Sequence, residues 1–256
     1  MAVNDLKWIH DAPLVIAHRG ASSIAPENTL PAFEAAVEQG ADGIELDVKL
    51  SRDGVLVVHH DQTLERTTNG SGRLSHWDWS DLQKLDAGVH FGDEFRGIGI
   101  PTLEEVFKSI GNQTLYNLEL TEYQRLRTDI ASKTIELVGE HQLEKNVLYS
   151  SFNPFELIRA SSRVERSTLA LLVHAATPAI IRILVRVLTP QEVYHPENSI
   201  VNEALINTLH RSNQRINVWT VNDENRMRAL FEWGVDGLIT DVPALAVNVR
   251  AGKESR

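Results

Sequence analysis

Short apolar runs alternate with segments of helical spacing along almost the whole chain. This alternation is typical of parallel strands joined by crossover helices. Eight runs qualify as strands, at residues 14–17, 43–48, 115–120, 147–150, 168–173, 192–195, 216–220 and 237–240. Eight strand–helix units predict an α/β fold, a TIM (β/α)8 barrel, built as one domain over residues 1–256. The run at 192–195 is short and polar, so a seven-stranded or open sheet is the alternative.

The helical segments lie between these runs, at residues 30–40, 103–110, 122–140, 154–160, 178–188, 199–211, 222–233 and 243–250. Asn28 or Thr29 is expected to cap the first helix and Thr102 the second. Helix 178–188 carries Arg182 and Arg186 four residues apart among apolar residues. We interpret it as an ordinary barrel helix whose two arginines extend into solvent. A membrane-surface helix is the alternative.

One region interrupts the regular alternation after the second strand. Asp53-Gly54 lies between two strand-like runs and predicts a two-residue hairpin loop. The segment 62–99 that follows is too long for an ordinary loop and lacks sustained periodicity. We therefore predict a small insertion at about residues 52–100. Its aromatic residues are expected to form a local core or to line part of a cleft: Trp77, Trp79, Phe91 and Phe95.

The predicted hairpin brings candidate metal-binding and catalytic residues close together. Glu45 and Asp47 are two residues apart on a strand, so their carboxylates leave the same face. A two-residue loop would place Asp47 directly opposite His60, with Cβ atoms about 4.5–5.5 Å apart. An oxygen-rich metal site and an imidazole are therefore expected to converge. His59 would point away from His60, and we interpret it as structural.

Composition narrows the functions open to the chain. It has no cysteine, so any metal must be held by oxygen or imidazole. Its net charge of −10 argues against a nucleic-acid partner. No apolar run approaches the roughly 18 residues of a membrane span, and the N-terminal MAVNDLKWIHD lacks the features of a signal peptide. We expect a cytoplasmic protein without stable membrane insertion.

Functional residues of a TIM barrel lie at the carboxyl ends of its strands. Glu45, Asp47 and Glu119 end adjacent strands and offer oxygen ligands suited to Mg²⁺ or Ca²⁺. Salt-bridged or solvated carboxylates are the alternative. His18 and His60 would face each other across the ion and allow one general acid and one general base. The alternative is that one of these histidines ligates the metal.

Two further residues extend the predicted site. Arg19 offers a planar fork of donors for phosphate oxygens. Next to a cation site and two histidines, it indicates a phosphoryl substrate. Trp219 is expected either to form an apolar wall beside the substrate or to fill the barrel core. Other polar residues fall at strand ends without an assigned role: Ser150, Ser151, His174, Thr220 and Asp241.

Several motifs together resemble the glycerophosphodiester phosphodiesterase family: HRGASSIAPENTLPAF, GIELDVKLSRDGVLVVHHD, RTTNGSG, IPTLEEV, NLEL, SSF, VWTVND and GVDGLITD. The resemblance spans nearly the whole chain and implies a TIM barrel with an insertion after the second strand. It implies hydrolysis of small-molecule glycerophosphodiesters to sn-glycerol 3-phosphate and an alcohol, dependent on a divalent cation. By motif position, His18 and His60 match the acid–base pair and Arg19 the phosphate contact. The metal ligands would be Glu45, Asp47 and Glu119.

One position departs from the family pattern. The family usually has a lysine two residues after the third carboxylate, and this chain has Thr121. Either another basic group substitutes or the anionic substrate binds more weakly. Two other functions stay open: a lysophospholipase D-like or sphingomyelinase D-like enzyme, favoured by an exposed apolar rim on the insertion, and a non-catalytic descendant that binds phosphodiesters or metal. A homodimer also stays open.

Overall fold

Eight parallel strands close into a barrel in the computed structural model, which describes residues 7–8, 12–121 and 128–253. The barrel strands pair around the ring in chain order, and the last of them pairs with the first. They are β1 (Leu14–His18), β2 (Gly43–Leu50), β4 (Leu115–Leu120), β5 (Val147–Ser151), β6 (Leu169–Val173), β7 (Val193–Pro196), β8 (Arg215–Val218) and β9 (Gly237–Thr240). The short strand β3 (Leu56–Val58) adds to β2 from outside the ring. The predicted TIM barrel is confirmed, including the short polar run that becomes β7.

Helices connect the strands: α1 (Leu30–Glu38), α2 (Trp79–Leu82), α3 (Leu103–Ile110), α4 (Ile130–Glu140), α5 (Pro154–Ala160), α6 (Ala179–Leu188), α7 (Glu203–Arg211), α8 (Glu224–Glu232) and α9 (Pro243–Arg250). The predicted helix 122–140 is observed from Ile130, and residues 122–127 lie outside the described part of the chain. The predicted helix 199–211 is divided into a 3₁₀ turn at Asn198–Ile200 and helix α7.

The helix caps follow the prediction at α3 and, in position only, at α1. The Thr102 hydroxyl accepts a hydrogen bond from the Glu105 backbone N–H, and the Glu105 carboxylate accepts one from the Thr102 backbone N–H, which makes a capping box. At α1 Thr29 occupies the N-cap position, but its side chain makes no capping hydrogen bond. The Thr29 hydroxyl donates to Pro26 O at 2.6 Å. Asn28 adopts a left-handed conformation (φ 59°) and turns its amide toward Asp47.

The predicted register of the β2–β3 hairpin is wrong by one residue. Val48 pairs with Val58, so Asp47 lies opposite His59 rather than His60. The loop has three residues, because Gly54 takes a left-handed conformation (φ 83°). Asp53 accepts from Ser51 Oγ at 2.5 Å and from the Trp79 backbone at 3.0 Å, which fixes this loop. His60 follows the end of the ladder, where the backbone turns away from β2.

Side chains that point into the barrel change character along its axis. At the amino ends of the strands they are apolar and close the interior, with Trp8 beneath them: Leu14, Ile16, Leu115, Leu148, Ala170, Val193 and Ile239. Two residues further along the same faces, polar groups appear, such as His18 on β1 and Asn117 on β4. The strand period of two therefore places a polar layer at the mouth of an apolar barrel.

The segment between β3 and α3 (residues 59–102, called here the β3–α3 segment) has a core of its own. Leu64, Leu74, Leu82, Ala87 and Ile100 pack together with Val57 of β3. Trp77 and Trp79 pack against this cluster, as predicted. Phe91 and Phe95 instead contact each other edge to face at 5.2 Å, and Phe91 is exposed.

Helix α6 takes a barrel position but not the predicted orientation. None of its residues is fully buried, and its large apolar side chains face solvent, except Val185, which packs against the barrel core. Arg182 and Arg186 are half-buried on the side toward the barrel. The interpretation as an ordinary barrel helix agrees with this position, but the two arginines lie on its inner side instead of extending into solvent.

Candidate active site

A cleft of about 300 Å³ opens at the carboxyl ends of the barrel strands. One wall is polar and is formed by His18, Arg19, Glu45, His60, Asn117 and Glu119. The other wall is apolar and aromatic and is formed by Phe152, Leu172, His174, Trp219 and Ile239. The structure thus brings together the residues predicted for chemistry. Asp47 is buried and contacts the polar wall from below.

Strand register brings the polar residues side by side. His18 of β1 pairs with Glu45 of β2, and Glu45 pairs with Asn117 of β4. One step closer to the mouth, Asp47 pairs with Glu119. Neighbouring residues in a parallel sheet point to the same face, so the five side chains share one end of the barrel.

Three carboxylates form a compact cluster in this wall. One oxygen each from Glu45, Asp47 and Glu119 lies within 4.8 Å of the others. Burial, followed by repulsion from Asp47 and Glu119, raises the pKa of Glu45 well above its ordinary value. Burial also acts to raise the pKa of Asp47, but the charges of Arg19 and His60 and other polar contacts outweigh it and lower that pKa. A buried carboxylate cluster of this kind fits a divalent cation bound by oxygen ligands.

His18 is oriented by an aspartate from the opposite end of the chain. Its Nδ1 donates to Asp241 Oδ1 at 2.7 Å, which leaves Nε2 as the atom that can exchange a proton. Ser22 and Asn222 also donate to Asp241, at 3.0 and 2.6 Å. Burial acts to raise the pKa of Asp241, but its hydrogen bonds and the charge of His18 lower it to about 2. The carboxylate therefore stays ionised near neutral pH.

His60 has a similar partner next to it in sequence. Its Nδ1 donates to Asp61 Oδ1 at 2.7 Å. Arg66 donates to the second Asp61 oxygen and, through both terminal nitrogens, to Glu27 at 2.7 Å. Burial acts to raise the pKa of Asp61, but the hydrogen bonds from Arg66 and His60 lower it to about 2. The β3–α3 segment is thereby joined to the loop after β1.

Arg19 occupies the centre of the charged contacts. Its backbone has φ 56°, a left-handed conformation that is uncommon outside glycine, and its N–H donates to Glu45 Oε2 at 3.0 Å. The guanidinium donates to Glu27 Oε1 at 2.9 Å and lies 3.4 Å from Asp47 Oδ2. Arg19 therefore contacts the carboxylate cluster with both its backbone and its side chain.

Asn28 holds Asp47 in place. Its amide Nδ2 donates to Asp47 Oδ2 at 2.8 Å, and its Oδ1 accepts from the Asp47 backbone at 3.2 Å. From the sequence, Asn28 was expected only to cap α1, and its contact with Asp47 was not predicted. Asn28 lies in the sequence PENT, but nothing in the sequence near it indicates a contact with Asp47.

Asn117 is a second residue that the sequence analysis missed. Its amide lies on the cleft wall, and both its polar atoms are buried without a hydrogen-bond partner among the described residues. The sequence contained one indication of its position in the cleft: Asn117 lies two residues before Glu119, on the same face of the strand. A buried amide without a partner in a cleft is suited to bind a ligand.

Trp219 lies on the apolar wall. Its Nε1 donates to His195 O at 2.7 Å, so the indole is fixed from the barrel side. Phe152 contacts it edge to face at 5.5 Å, and His174 lies 6.0 Å away between ring centres. His174 itself pairs with Glu197 at 3.3 Å.

Thr121 is buried and accepts a hydrogen bond from Lys49 Nζ at 2.9 Å. Neither residue lines the cleft, although the Lys49 charge contributes to lowering the pKa of Asp47. His59 also lies outside the cleft, is buried, and has Nε2 3.0 Å from Thr63 O. Its structural interpretation agrees with this placement.

The sequence profile of the glycerophosphoryl diester phosphodiesterase family matches residues 18–245. The chain belongs to this family. The resemblance deduced from the motifs is thereby confirmed, and with it the prediction of a phosphodiesterase.

Individual relatives cover nearly the full length. The chain is 40% identical to a glycerophosphodiester phosphodiesterase of Caldanaerobacter subterraneus, over 93% of this chain and 98% of the relative. It is 36% identical to one of Bacillus altitudinis, over 92% and 97%. Among solved structures, a phosphodiesterase of Oleispira antarctica in complex with the product sn-glycerol-3-phosphate matches with a TM-score of 0.84 and 31% identity, over 93% of this chain and 96% of the other.

Among the described residues, no helix is both long enough and apolar enough to cross a membrane.

Proposed function

We propose that the cleft hydrolyses glycerophosphodiesters to sn-glycerol 3-phosphate and an alcohol. The observation that carries the proposal is that two histidine–aspartate pairs and a three-carboxylate cluster share one cleft. The product bound to the Oleispira relative supports the same substrate class.

Glu45, Asp47 and Glu119 would hold a divalent cation, Mg²⁺ or Ca²⁺. When bound, such a cation neutralises charge on the phosphate. The cluster fits this ligand because its carboxylates repel one another in a buried position; burial, and then this repulsion, raise the pKa of Glu45. Asn28 and the Arg19 backbone would keep Asp47 and Glu45 in position.

His18 and His60 would act as the acid–base pair. Each holds its Nδ1 proton against an ionised aspartate, so each has Nε2 available for proton exchange in the cleft. One would take a proton from the nucleophile and the other would give one to the leaving alkoxide. The nucleophile is either water or the 2-hydroxyl of the glycerol moiety, the latter through a cyclic phosphate.

The remaining cleft residues would place the substrate. Arg19 would contact phosphate oxygens with the donors of its guanidinium that Glu27 does not take. Trp219 and Phe152 would bind the apolar part of the substrate on the opposite wall. Lys49 would supply positive charge near Thr121, behind Asp47, rather than a direct phosphate contact.

Replacement of the histidines tests the pair. His18→Ala and His60→Ala are each expected to lower turnover of glycerophosphodiesters by about 10²–10⁴-fold, measured by release of sn-glycerol 3-phosphate, with unchanged circular dichroism. His210→Ala is the matched control, because His210 pairs with Asp236 on the outside of the barrel. Near-normal turnover in either cleft variant would refute the assignment.

The metal site has its own test. Calorimetric titration of the apo-protein with Mg²⁺ and Ca²⁺ should show binding that Glu45→Gln and Glu119→Gln each abolish. Unchanged binding in both variants would place the ion elsewhere. If no divalent cation supported any hydrolysis, the non-catalytic alternative would replace the proposal.

A lipid-linked substrate is the second candidate. An exposed apolar rim on the insertion would favour it, but among the large apolar residues of the β3–α3 segment that the structure describes, only Phe91 is exposed. Exposed apolar surface lies instead mainly on α6, with further exposed apolar residues on α5. Parallel assays with soluble glycerophosphodiesters and with lysophospholipids separate the two activities.

A further inference from the structure

Helix α6 carries a ridge of exposed apolar side chains. Ile180, Val187 and Leu188 are exposed to 70%, 70% and 67%, and Ile183 and Leu184 to 54% and 52%. These five residues, called here the apolar ridge, recur at helical spacing on one side of α6. A contiguous apolar patch of this kind on a soluble protein marks an interaction surface.

The opposite side of α6 carries two arginines. Arg182 and Arg186 are half-buried and line a groove of about 360 Å³ between α6 and α7. Arg186 donates to Gln214 Oε1 at 2.8 Å, and Arg182 makes only a long contact of 3.4 Å to Ala175 O. Among the described residues, no carboxylate lies within ion-pair distance of either guanidinium. Both positive charges are therefore open to an anionic partner.

The ridge begins near the mouth of the barrel. Helices of a TIM barrel start close to the carboxyl ends of the strands. Helix α6 starts five residues after His174, which lines the cleft. On the preceding helix α5, Phe155 and Ile158 are also exposed, three residues or more after the cleft residue Phe152. Apolar surface is therefore concentrated on this side of the mouth.

We propose that α6 docks the protein on the surface of a phospholipid bilayer containing anionic lipids. The apolar ridge enters the boundary between headgroups and acyl chains, and Arg182 and Arg186 lie behind it at the level of the phosphates. The whole chain has a net charge of −10, and the acidic parts outside α6 are repelled by the same surface, so α6 is the side that faces it. This proposal is independent of the proposed function.

A second copy of the chain fits the surface less well. In a two-fold contact the same patch lies on both subunits. Such a contact through α6 would bring the arginines of both copies together without a carboxylate on that helix to balance them. Anionic headgroups supply the missing negative charge, and a second α6 does not.

Flotation with vesicles tests the proposal on the full chain. We expect binding to vesicles of phosphatidylcholine mixed with phosphatidylglycerol, and weaker binding to phosphatidylcholine alone. The variant Ile180→Ser/Leu184→Ser/Val187→Ser should bind at least about tenfold more weakly because the apolar contact is lost. Ile24→Ser is the matched control, since Ile24 is 52% exposed but lies in the β1–α1 loop. It should bind as the wild type does.

The contribution of the two arginines is tested separately, by the dependence of vesicle binding on lipid charge and on salt. In the variant Arg182→Gln/Arg186→Gln, binding to the vesicles that contain phosphatidylglycerol should fall by about threefold or more, so that the preference for this lipid is lost. The weakening of binding by high salt should be lost with it. An unchanged preference would overturn the part assigned to the arginines.

Three results would overturn the docking proposal. The first is that the wild-type chain binds neither kind of vesicle. The second is that the triple-serine variant binds vesicles as strongly as the wild type. The third is that the wild type does not bind vesicles but forms a dimer, which the triple-serine variant converts to a monomer. If the triple variant unfolds, as judged by circular dichroism, single Leu184→Ser compared with Ile24→Ser decides between the same outcomes.

Discussion

The two histidine–aspartate pairs of the cleft are alike in chemistry but are supported in different ways. His18 and Asp241 are 223 residues apart; His18 ends β1, and Asp241 follows the adjacent strand β9. His60 and Asp61 are neighbours in sequence, on a segment outside the barrel. The His18 side chain is 19% exposed and the His60 side chain is 39% exposed. One half of the cleft is thus part of the rigid barrel, and the other is held against it.

The supporting contacts also differ in charge. Asp241 accepts from the neutral donors Ser22 and Asn222. Asp61 depends on Arg66, which also binds Glu27, and the Arg66 side chain is 48% exposed. Exposed charge pairs are weakened by salt and are individually weak. A barrel can position a histidine with neutral hydrogen bonds, whereas an added segment here relies on ion pairs to reach the same cleft.

Removal of the aspartates should have the largest effect. Asp241→Asn and Asp61→Asn are each expected to lower turnover by about 10²–10⁴-fold, because the histidine loses the carboxylate that holds its Nδ1 proton. We expect losses of similar size, since each histidine has its aspartate as its hydrogen-bond partner and no second one among the described residues. Steady-state kinetics with a soluble glycerophosphodiester measure both.

Asp78→Asn is the control for these variants, because Asp78 pairs with Arg52 on the surface. Near-normal turnover in Asp241→Asn would show that the barrel-held pair is not part of the chemistry, and the comparison between the two halves would fail.

Arg66 tests whether ion pairs position His60. Arg66→Met should lower turnover about tenfold, and the loss should act through Asp61 and His60 rather than through substrate binding. Arg66→Lys should restore part of it. In the wild type, salt should weaken the Asp61–Arg66 contact more than the Asp241–Asn222 contact. NMR measures this effect, because the imidazole nitrogen chemical shifts of His60 should then change more with salt than those of His18. Equal salt sensitivity of the two rings would contradict the comparison.

Acid should weaken the folded state through both aspartates. The pKa of Asp61 and of Asp241 is about 2 in the folded chain against an ordinary value of 3.8. The stabilisation is therefore complete above about pH 4 and is lost as the pH falls through about 2, where the folded state also takes up the proton. Allowing for solvent screening, we expect about 1 kcal/mol for each group.

The measurement is the free energy of unfolding by urea between pH 7 and pH 2.5, for the wild type and both asparagine variants. The difference from each variant should shrink on acidification, and by a similar amount for both, because the pKa of each aspartate is about 2. A difference that stayed constant with pH would contradict the lowered pKa values.

The smallest expected difference is in motion. His60 follows the end of β3 and is more exposed than His18, so we expect it to be the more mobile of the two histidines. Deuterium exchange should be faster in peptides covering residues 59–66 than in those covering 14–20. Slower exchange at 59–66 would mean that the ion pairs hold the segment as firmly as the barrel holds β1.

The amino-acid pattern alone predicted the barrel, because strand and helix periods are local properties of the chain. It also placed Glu45, Asp47, Glu119 and His18 at strand ends, where alternation by two sets the direction of each side chain. His60 reached the cleft as expected, although the register used to predict it was wrong. The three-residue loop depends on Asp53 bonding to Trp79, a contact that no local pattern contains.

Tertiary structure alone decided which groups support the site and which face of α6 meets solvent. Asp241 could be recognised as a polar residue at a strand end, but its contact with His18 exists only because β9 closes the ring beside β1. The links from Asn28 to Asp47 and from Arg66 to Glu27 likewise join different loops. On α6, periodicity showed an apolar face and an arginine face, but only the packed barrel determined that the arginines turn inward. Local sequence sets the direction of a side chain relative to its own strand or helix, and the closed barrel sets what that side chain meets.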